Sequence, residues 1–411
     1  MTKIDELIQE LCPDGVETFP LEECCNILDK KRKPVTKNSR EKGEYPYYGA
    51  NGVQDYVSDY IFNGKFVLVG EDGSVITKSG TPVVTWAEGK IWVNNHAHVI
   101  EEKSGTMLRY LYFYIQTIDV TSLIHGNIPK LTGRDFRSLK IALPPLEIQR
   151  EIVSILDNFT NLTAELTAEL TARKTQYGYY RDKLLEVETD IHKYTLGEIA
   201  TVTKLAGFEF TNYVTYSERG NIIALRGLNV KNGKLDLSDV KYIDKSDFSK
   251  LERSKLHIGD MLFTYVGTVG QVAIVDEEDK YYLAPNVALI RFDKKILLPQ
   301  YMKYYFQTTQ FWDKQIRRLL QSSSMQNIPM EKIRKFEIIV PPFDVQNRIV
   351  NVLDNFEKIC SDLNIGLPAE IEARQKQYEY YRDKLLTFAE TGNTILSRAE
   401  QSRAEQSRAE H

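Results

Sequence analysis

Residues 172–185 read ARKTQYGYYRDKLL and residues 373–386 read ARQKQYEYYRDKLL, identical at eleven of fourteen positions. Upstream of each, LPPLEIQREIVSILDNF (143–159) matches VPPFDVQNRIVNVLDNF (340–356), Asn127-Ile128-Pro129 echoes Asn327-Ile328-Pro329, and FPLEEC (19–24) resembles YTLGEI (194–199). A period of about 200 residues is far too long for a solenoid, whose units run about 20–50 residues. The chain therefore holds two copies of one module, each a strand-rich half followed by a helical half.

The helical halves carry a coiled-coil signature. In the first, Ile148, Ile152, Ile155, Phe159, Leu162, Leu166 and Leu170 alternate steps of four and three, Arg173 fills one seam position, and Tyr177, Tyr180 and Leu184 resume the series. The seam includes one extra step of four, a stutter. That step lies in LTAELTAELTAR (162–173), a tandem tetrapeptide of good helix formers without Gly or Pro, so it reads as helix and not as a flexible linker. The second copy runs Val345, Ile349, Val352, Phe356, Ile359, Leu363, Leu367, Ile371, Arg374, Tyr378, Tyr381, Leu385, with a break expected at Gly366-Leu367-Pro368. Two narrow-striped helical regions on one chain most simply pair with each other.

The strand-rich halves, about 1–144 and 190–340, differ far more. The first has YPYYGANGVQDYV, KFVLVGEDGSVIT, PVVTW and HAHVI; the second has NIIALRGLNV, GDMLFTYVGTVGQVAIV and NVALIRF. Two similar frames thus carry two different surfaces. The expected layout is α+β: residues 1–144 (with a short N-terminal helical segment), helical region 145–189, residues 190–340, helical region 341–390, and a low-complexity tail 391–411. The tail repeats SRAEQ, has no large apolar residue after Leu396, and is expected to be solvated.

With 42% hydrophobic and 27% charged residues, the composition is that of a globular protein. No apolar run approaches a membrane span, MTKIDELIQE is no signal peptide, and Cys12, Cys24, Cys25 and Cys360 show no disulfide framework; a cytoplasmic setting with reduced thiols is expected. The net charge of −4 points to no nucleic acid, so any DNA contact must be local.

One local basic patch stands out. DKKRKPVTKNSR (29–40) supplies Lys30, Lys31, Arg32, Lys33, Lys37 and Arg40 with no acid after Asp29, which suits phosphate contacts, and EYPYYGANG follows with Tyr47, Tyr48 and Asn51. In the second half, LRGLNVKNGK supplies Arg226, Asn229 and Lys231, and RRLLQSSSMQNIP supplies Arg317, Arg318, Gln321, Ser323, Gln326 and Asn327. Arg can fork to guanine, and Asn or Gln to adenine.

Catalytic readings fare worse. Asp72 with Glu88-Gly89-Lys90 has a nuclease-like spacing, but no proline precedes Asp72 and the second module has no equivalent. VPPF (340–343) places Val340 where an amino-methyltransferase needs an amide. His96-Ala-His98 lacks a third zinc ligand, so no metal site is expected, and no Gly-rich phosphate loop is present. A stand-alone nuclease or methyltransferase, or a coiled-coil scaffold, are the competing classes.

The paired PPLEIQREIVSILDNF and PPFDVQNRIVNVLDNF, the paired QYxYYRDKLL ends, and GDMLFTYVGTVGQVAIV with NVALIR make the chain resemble the specificity subunits of type I restriction–modification systems, over roughly residues 10–390. The resemblance implies two target-recognition domains, each reading half of a split DNA sequence, separated by two long antiparallel helical regions in an internal pseudo-two-fold repeat. It implies a non-catalytic chain with double-stranded DNA, two methyltransferase subunits and motor-nuclease subunits as partners. S-adenosylmethionine, ATP and Mg²⁺ would serve the complex through those partners, with no cofactor on this chain. Tyr177, Tyr180, Arg181, Tyr378, Tyr381 and Arg382, on the matched helix ends, are the expected methyltransferase-docking residues.

Overall fold

The structure, a computed structural model, describes residues 3–186, 193–205, 210, 212–320, 326–361 and 366–391, with side chains to Thr387. Gln321, Ser323 and the SRAEQ tail lie outside the described residues. The chain forms two compact units, one of residues 1–166 with 371–411 and the other of residues 167–370. The tetrapeptide repeat lies within one continuous helix, Leu146–Leu185, and the division between units falls inside it, between Leu166 and Thr167. Each unit is therefore closed by a helix end from the other repeat.

In the first unit a six-stranded sheet runs in the order Asn26–Ile27, Ala97–Glu101, Phe62–Gly70, Val84–Val93, Lys42–Gly49, Gly52–Val57. The second unit divides the same plan between two sheets. One has Ala200–Lys204, Val287–Phe292, Met261–Thr264 and Val272–Ile274; the other has Lys241–Tyr242, Ile223–Leu225 and Tyr281–Leu283. Both modules are tied at their base by a short antiparallel pair, Thr18–Pro20 with Lys140–Ala142 and Lys193–Thr195 with Glu337–Ile339.

The Pro-Pro…Gln part of the repeated motif now has a physical reason. Gln149 is fully buried; its Oε1 accepts from the Met107 N–H (2.8 Å) and its Nε2 donates to the Pro144 (2.8 Å) and Gly105 (3.1 Å) carbonyls. Gln346 is fully buried too, accepting from the Leu298 N–H and donating to the Pro341 and Ile296 carbonyls, each at 2.9 Å. Each amide thus satisfies an orphan N–H at the start of a module helix, Leu108–Ile115 or Pro299–Phe306, and fixes that helix to the turn entering the helical half.

The helical halves carry two apolar stripes, and the sequence seam captures one of them. Ile148, Ile152, Val153 and Leu156 are buried in the first module's core, and Ile349, Val350 and Leu353 in the second's. Val352 and Ile359, expected in the seam, are 42% and 48% exposed. This corrects the seam there: the stronger demand on helix Phe343–Ser361 is burial against its own module, which turns those two side chains outward. As the glycine and proline suggest, a new helix, Leu367–Thr391, starts with Pro368 in its first turn.

A second correction concerns Asn127-Ile128-Pro129. Ile128 is 69% exposed whereas Ile328 is buried, because the main-chain equivalent of Ile328 is Leu131: Leu131 N–H bonds to Glu71 O and Ile328 N–H to Tyr265 O, both at 2.9 Å. All four cysteines are free and buried; burial pushes the Cys24 thiol up to about 11 and the Cys25 thiol to about 12.

Candidate nucleic-acid interface

The basic loop of the first module is built around one half-buried arginine. Arg32 donates to the Glu71 carboxylate (2.6 Å), lies 3.6 Å from Asp29, and donates to the Ala97 carbonyl (2.7 Å). Beside it His98, buried and stacked on Phe136 at 4.1 Å, has Nδ1 2.7 Å from Asp29 and Nε2 3.2 Å from the Leu131 carbonyl. Burial works to raise the Asp29 pKa, but the His98 bond, the Val99 N–H and the Arg32 charge outweigh it and hold the carboxyl below its ordinary value. Asp29, Glu71 and His98 come close enough together to suggest ligands, yet Arg32 and Lys130 (3.3 Å from Glu71) already balance both carboxylates. The cluster is a pin that fastens the loop to the sheet.

This corrects the reading of Arg32, whose guanidinium is spent on the protein. Tyr47 is corrected likewise: it is buried, its hydroxyl bonds the Val35 main chain, and Arg40 lies over its ring at 4.0 Å. Arg40 is further paired with Asp55 at 3.3 Å, and Tyr48 is buried in the sheet core. By contrast Lys30, Lys31, Lys33 and Lys37 are exposed and make no ion pair among the described residues. Asn51 is exposed in the turn after strand Lys42–Gly49. The Lys33 N–H bonds to the Val93 carbonyl (3.3 Å) and Trp92 donates to the Lys33 carbonyl (2.7 Å), so the loop follows the strand that leads to Asn94-Asn95-His96.

In the second unit a cleft of about 790 Å³ is lined by Tyr216, Arg226–Leu228, Val230–Lys231, Thr264, Val266, Thr268, Gln271 and Ala284–Asn286. Two sequence-read stretches meet here. Arg226 and Lys231 line it directly, while Gln326 and Asn327 run beside its wall, since Gly267 N–H bonds to Gln326 O and Val266 bridges Asn327. The rings of Trp312 pack against Gly270, so the π-helical turn Trp312–Ile316 brings exposed Arg317 and Arg318 to the same loop.

Three readings change in detail. Asn229 is fully buried, its side chain bonding Arg226 N–H and the Asp236 and Asp239 carbonyls, so it braces the loop behind the cleft. Arg226 is held by Asp239 (3.0 Å) and Lys231 by Asp236 (2.5 Å), which leaves these cations largely neutralised. The Nε of Arg226 nevertheless remains buried without a partner among the described residues. Thr268, Gln271 and Asn286 were missed by sequence reasoning; the turn signal at Pro285-Asn286 was the one clue to them.

The nuclease-like spacing does not form a site. Glu88 faces Lys65 across the sheet (3.5 Å), seven residues before Asp72, roughly 20 Å along an extended chain. Asp72 instead contacts His96, while His98 is occupied by Asp29, so the two histidines serve separate carboxylates.

The matched helix ends turn several of the expected docking residues toward the modules. Tyr381 is buried in the first unit's core, stacked on Phe159 at 5.3 Å, and Tyr378 packs 6.4 Å from Phe113. In the second unit Tyr177 packs against the core, and Tyr180 stacks on Phe356 at 6.0 Å. Arg181 and Arg382 lie over Tyr177 and Tyr378, each at 5.8 Å, and pair with Asp182 and Asp383. These residues fasten helix ends to modules, which corrects Tyr381 as a docking residue. The surface of the two ends is carried by Tyr179 and Tyr380, 59% and 45% exposed, each with a lysine four residues on (Lys183 and Lys384) over its ring.

The type I restriction modification DNA specificity domain family matches this sequence twice, over residues 13–173 and 188–373. A protein of Haemophilus influenzae named as a type I restriction enzyme specificity subunit is 36% identical over 385 residues, covering 91% of this chain and 96% of its own. The EcoR124I/EcoR124II specificity subunit of Escherichia coli is 34% identical over 302 residues, covering 70% of this chain and 72% of its own. Among solved structures, the S subunit of a type I system from M. genitalium shares the fold at a TM-score of 0.52 and 13% identity, covering 91% of this chain and 97% of its own. A chain from a study of complex assembly in the type I system does so at 0.56 and 14%, covering 92% and 98%. Two matched domains, each with its strand-rich frame and helical half, show that the chain belongs to the type I restriction–modification DNA specificity family, as a specificity subunit built from two copies of the domain.

Proposed function

We propose that this chain reads a bipartite, asymmetric duplex target, one half with each module, and directs partner subunits to methylate adenine there or to cut. The observation that carries this reading is the pairing of like frames with unlike surfaces: main chains with matching hydrogen bonds carry, in one module, a lysine loop without ion pairs among the described residues and, in the other, a polar cleft. Lys30, Lys31, Lys33 and Lys37 act on phosphates, and the loops beside them read bases. Chemistry resides on the partners: S-adenosylmethionine on two methyltransferase subunits, ATP and Mg²⁺ on motor-nuclease subunits. Among the described residues no helix is long and apolar enough to cross a membrane.

Replacing residues 20–143 with another recognition module is expected to change one half of the methylated motif and leave the other intact. A change in both halves would defeat the modular reading. The Tyr179–Lys183 and Tyr380–Lys384 surfaces, alike in both units, support two equivalent docking sites for the methyltransferase. Native mass spectrometry is expected to show two copies per chain, falling to one when Tyr179 and Lys183 are both replaced by Ala; a single copy with the unaltered chain refutes equivalence.

A further inference from the structure

The two modules share little sequence in their strand-rich halves, yet their main chains can be aligned by hydrogen bonds alone. Gly70 N–H bonds to Val83 O and Thr264 N–H to Gln271 O; Gly73 N–H bonds to Pro129 O and Gly267 N–H to Gln326 O. Asn94 N–H bonds to Tyr48 O, and Ala284 N–H to Leu225 O. The strand registers agree, with Gly70 opposite Ala97 and Thr264 opposite Val287. Gly73 and Gly267 share a left-handed conformation, φ +81° and +78°. A side-chain check agrees as well: a Cβ on Gly70 would approach Ala50 O to 3.1 Å, and a Cβ on Gly227 lies 3.9 Å from Thr264 Cγ2. In this alignment Ala50 corresponds to Gly227, Asp72 to Val266, His96 to Asn286 and Lys130 to Asn327.

The positions that wall the second unit's cleft therefore have counterparts in the first. There the same places are held by different chemistry. His96, exposed, contacts Asp72 through Nδ1, which leaves Nε2 as the outer polar atom, and Lys130 lies 3.9 Å from the same carboxylate. In the second unit the place of His96 is taken by Asn286, exposed and at φ +70°, and that of Asp72 by Val266. Gln271 accepts the Asn232 N–H through Oε1 (3.0 Å), and its amide NH₂ has no partner among the described residues. With the buried Arg226 Nε, the cleft holds donors that no described residue accepts from. At one frame position the first module presents an imidazole held by a carboxylate and the second the Asn286 amide, with the Gln271 amide lining the same cleft, so the two offer different hydrogen-bonding patterns to a base edge. The lysine loop runs to the residues preceding His96, so phosphate contacts and the imidazole share one side of the module.

We infer that these corresponding loops are the base-reading loops of both modules, and that His96 with Asp72, and Asn286 with Gln271, are specificity-determining residues, each pair for its own half-site. The inference rests on the proposed bipartite reading. Its test maps methylated adenines in genomic DNA from cells expressing the complex with His96→Ala, Asp72→Asn or Asn286→Gly. Glycine keeps the left-handed backbone at 286 while removing the amide. The expected result is a relaxed preference at one base position, discrimination falling about tenfold or more, in one half for His96→Ala and Asp72→Asn and in the other half for Asn286→Gly. Where a variant methylates too weakly to map, binding of the purified complex to duplexes altered in one half gives the same readout. Unchanged motifs for all three variants, with the module exchange still altering one half, would overturn this inference and leave the bipartite reading standing. A module exchange that altered neither half would remove both.

Discussion

One more Leu-Thr-Ala-Glu unit after Glu169 is expected to lengthen the gap between the two half-sites by one or two base pairs without altering either half. Helix Leu146–Leu185 carries the repeat without a break, and its threonines bond inside the helix: Thr163 Oγ1 donates to Phe159 O and Thr171 Oγ1 to Thr167 O, both at 2.9 Å. An added unit brings its own satisfied polar groups and another leucine at the fourth place. It adds about 6 Å of helix against about 3.4 Å per base pair, and turns the helix beyond the insertion by about 40°. Neither module changes a residue. Methylation at the original spacing should fall on the order of a hundredfold, since one half-site's base contacts, about 1–3 kcal/mol each, no longer align. An unchanged gap with full activity would show that this helix does not set the distance.

Gln149→Leu should be the most damaging single substitution in the first unit's frame, and Gln346→Leu in the second's. Leucine fits the volume but leaves the Met107 N–H and the Pro144 carbonyl without partners in a buried turn. With about 1–3 kcal/mol for each buried group left unsatisfied, the loss is about 3–5 kcal/mol. Hydrogen exchange localises the effect: Gln149→Leu should speed exchange at the start of helix Leu108–Ile115, and Gln346→Leu at the start of Pro299–Phe306. Equal, small effects at both helices from either variant would contradict the assignment.

What could be read from the sequence was what repeats locally. The tetrapeptide helix and the interruption near Pro368 depend on spacing within one stretch, and the two frames on strings that recur further along the chain, so pattern alone reached them. Arg32 could not be separated from its lysine neighbours, because the residues that bury it, Glu71 and Ala97, arrive from other strands. The cleft was legible only in part for the same reason. Arg226 and Lys231 announced themselves by charge, whereas Thr268, Gln271 and Asn286 gain meaning from sheet register that joins loops 20 to 60 residues apart. The matched tyrosine ends were visible as a repeat, but not the crossing by which each closes the unit in which the other repeat's module sits.

The central claim is that one chain carries two independent readers on like frames. Mapping methylated adenines in genomic DNA from cells that express this chain with its methyltransferase tests it most directly. A single motif with two unlike defined halves and a fixed undefined gap is the expected result; a contiguous or palindromic motif would contradict it.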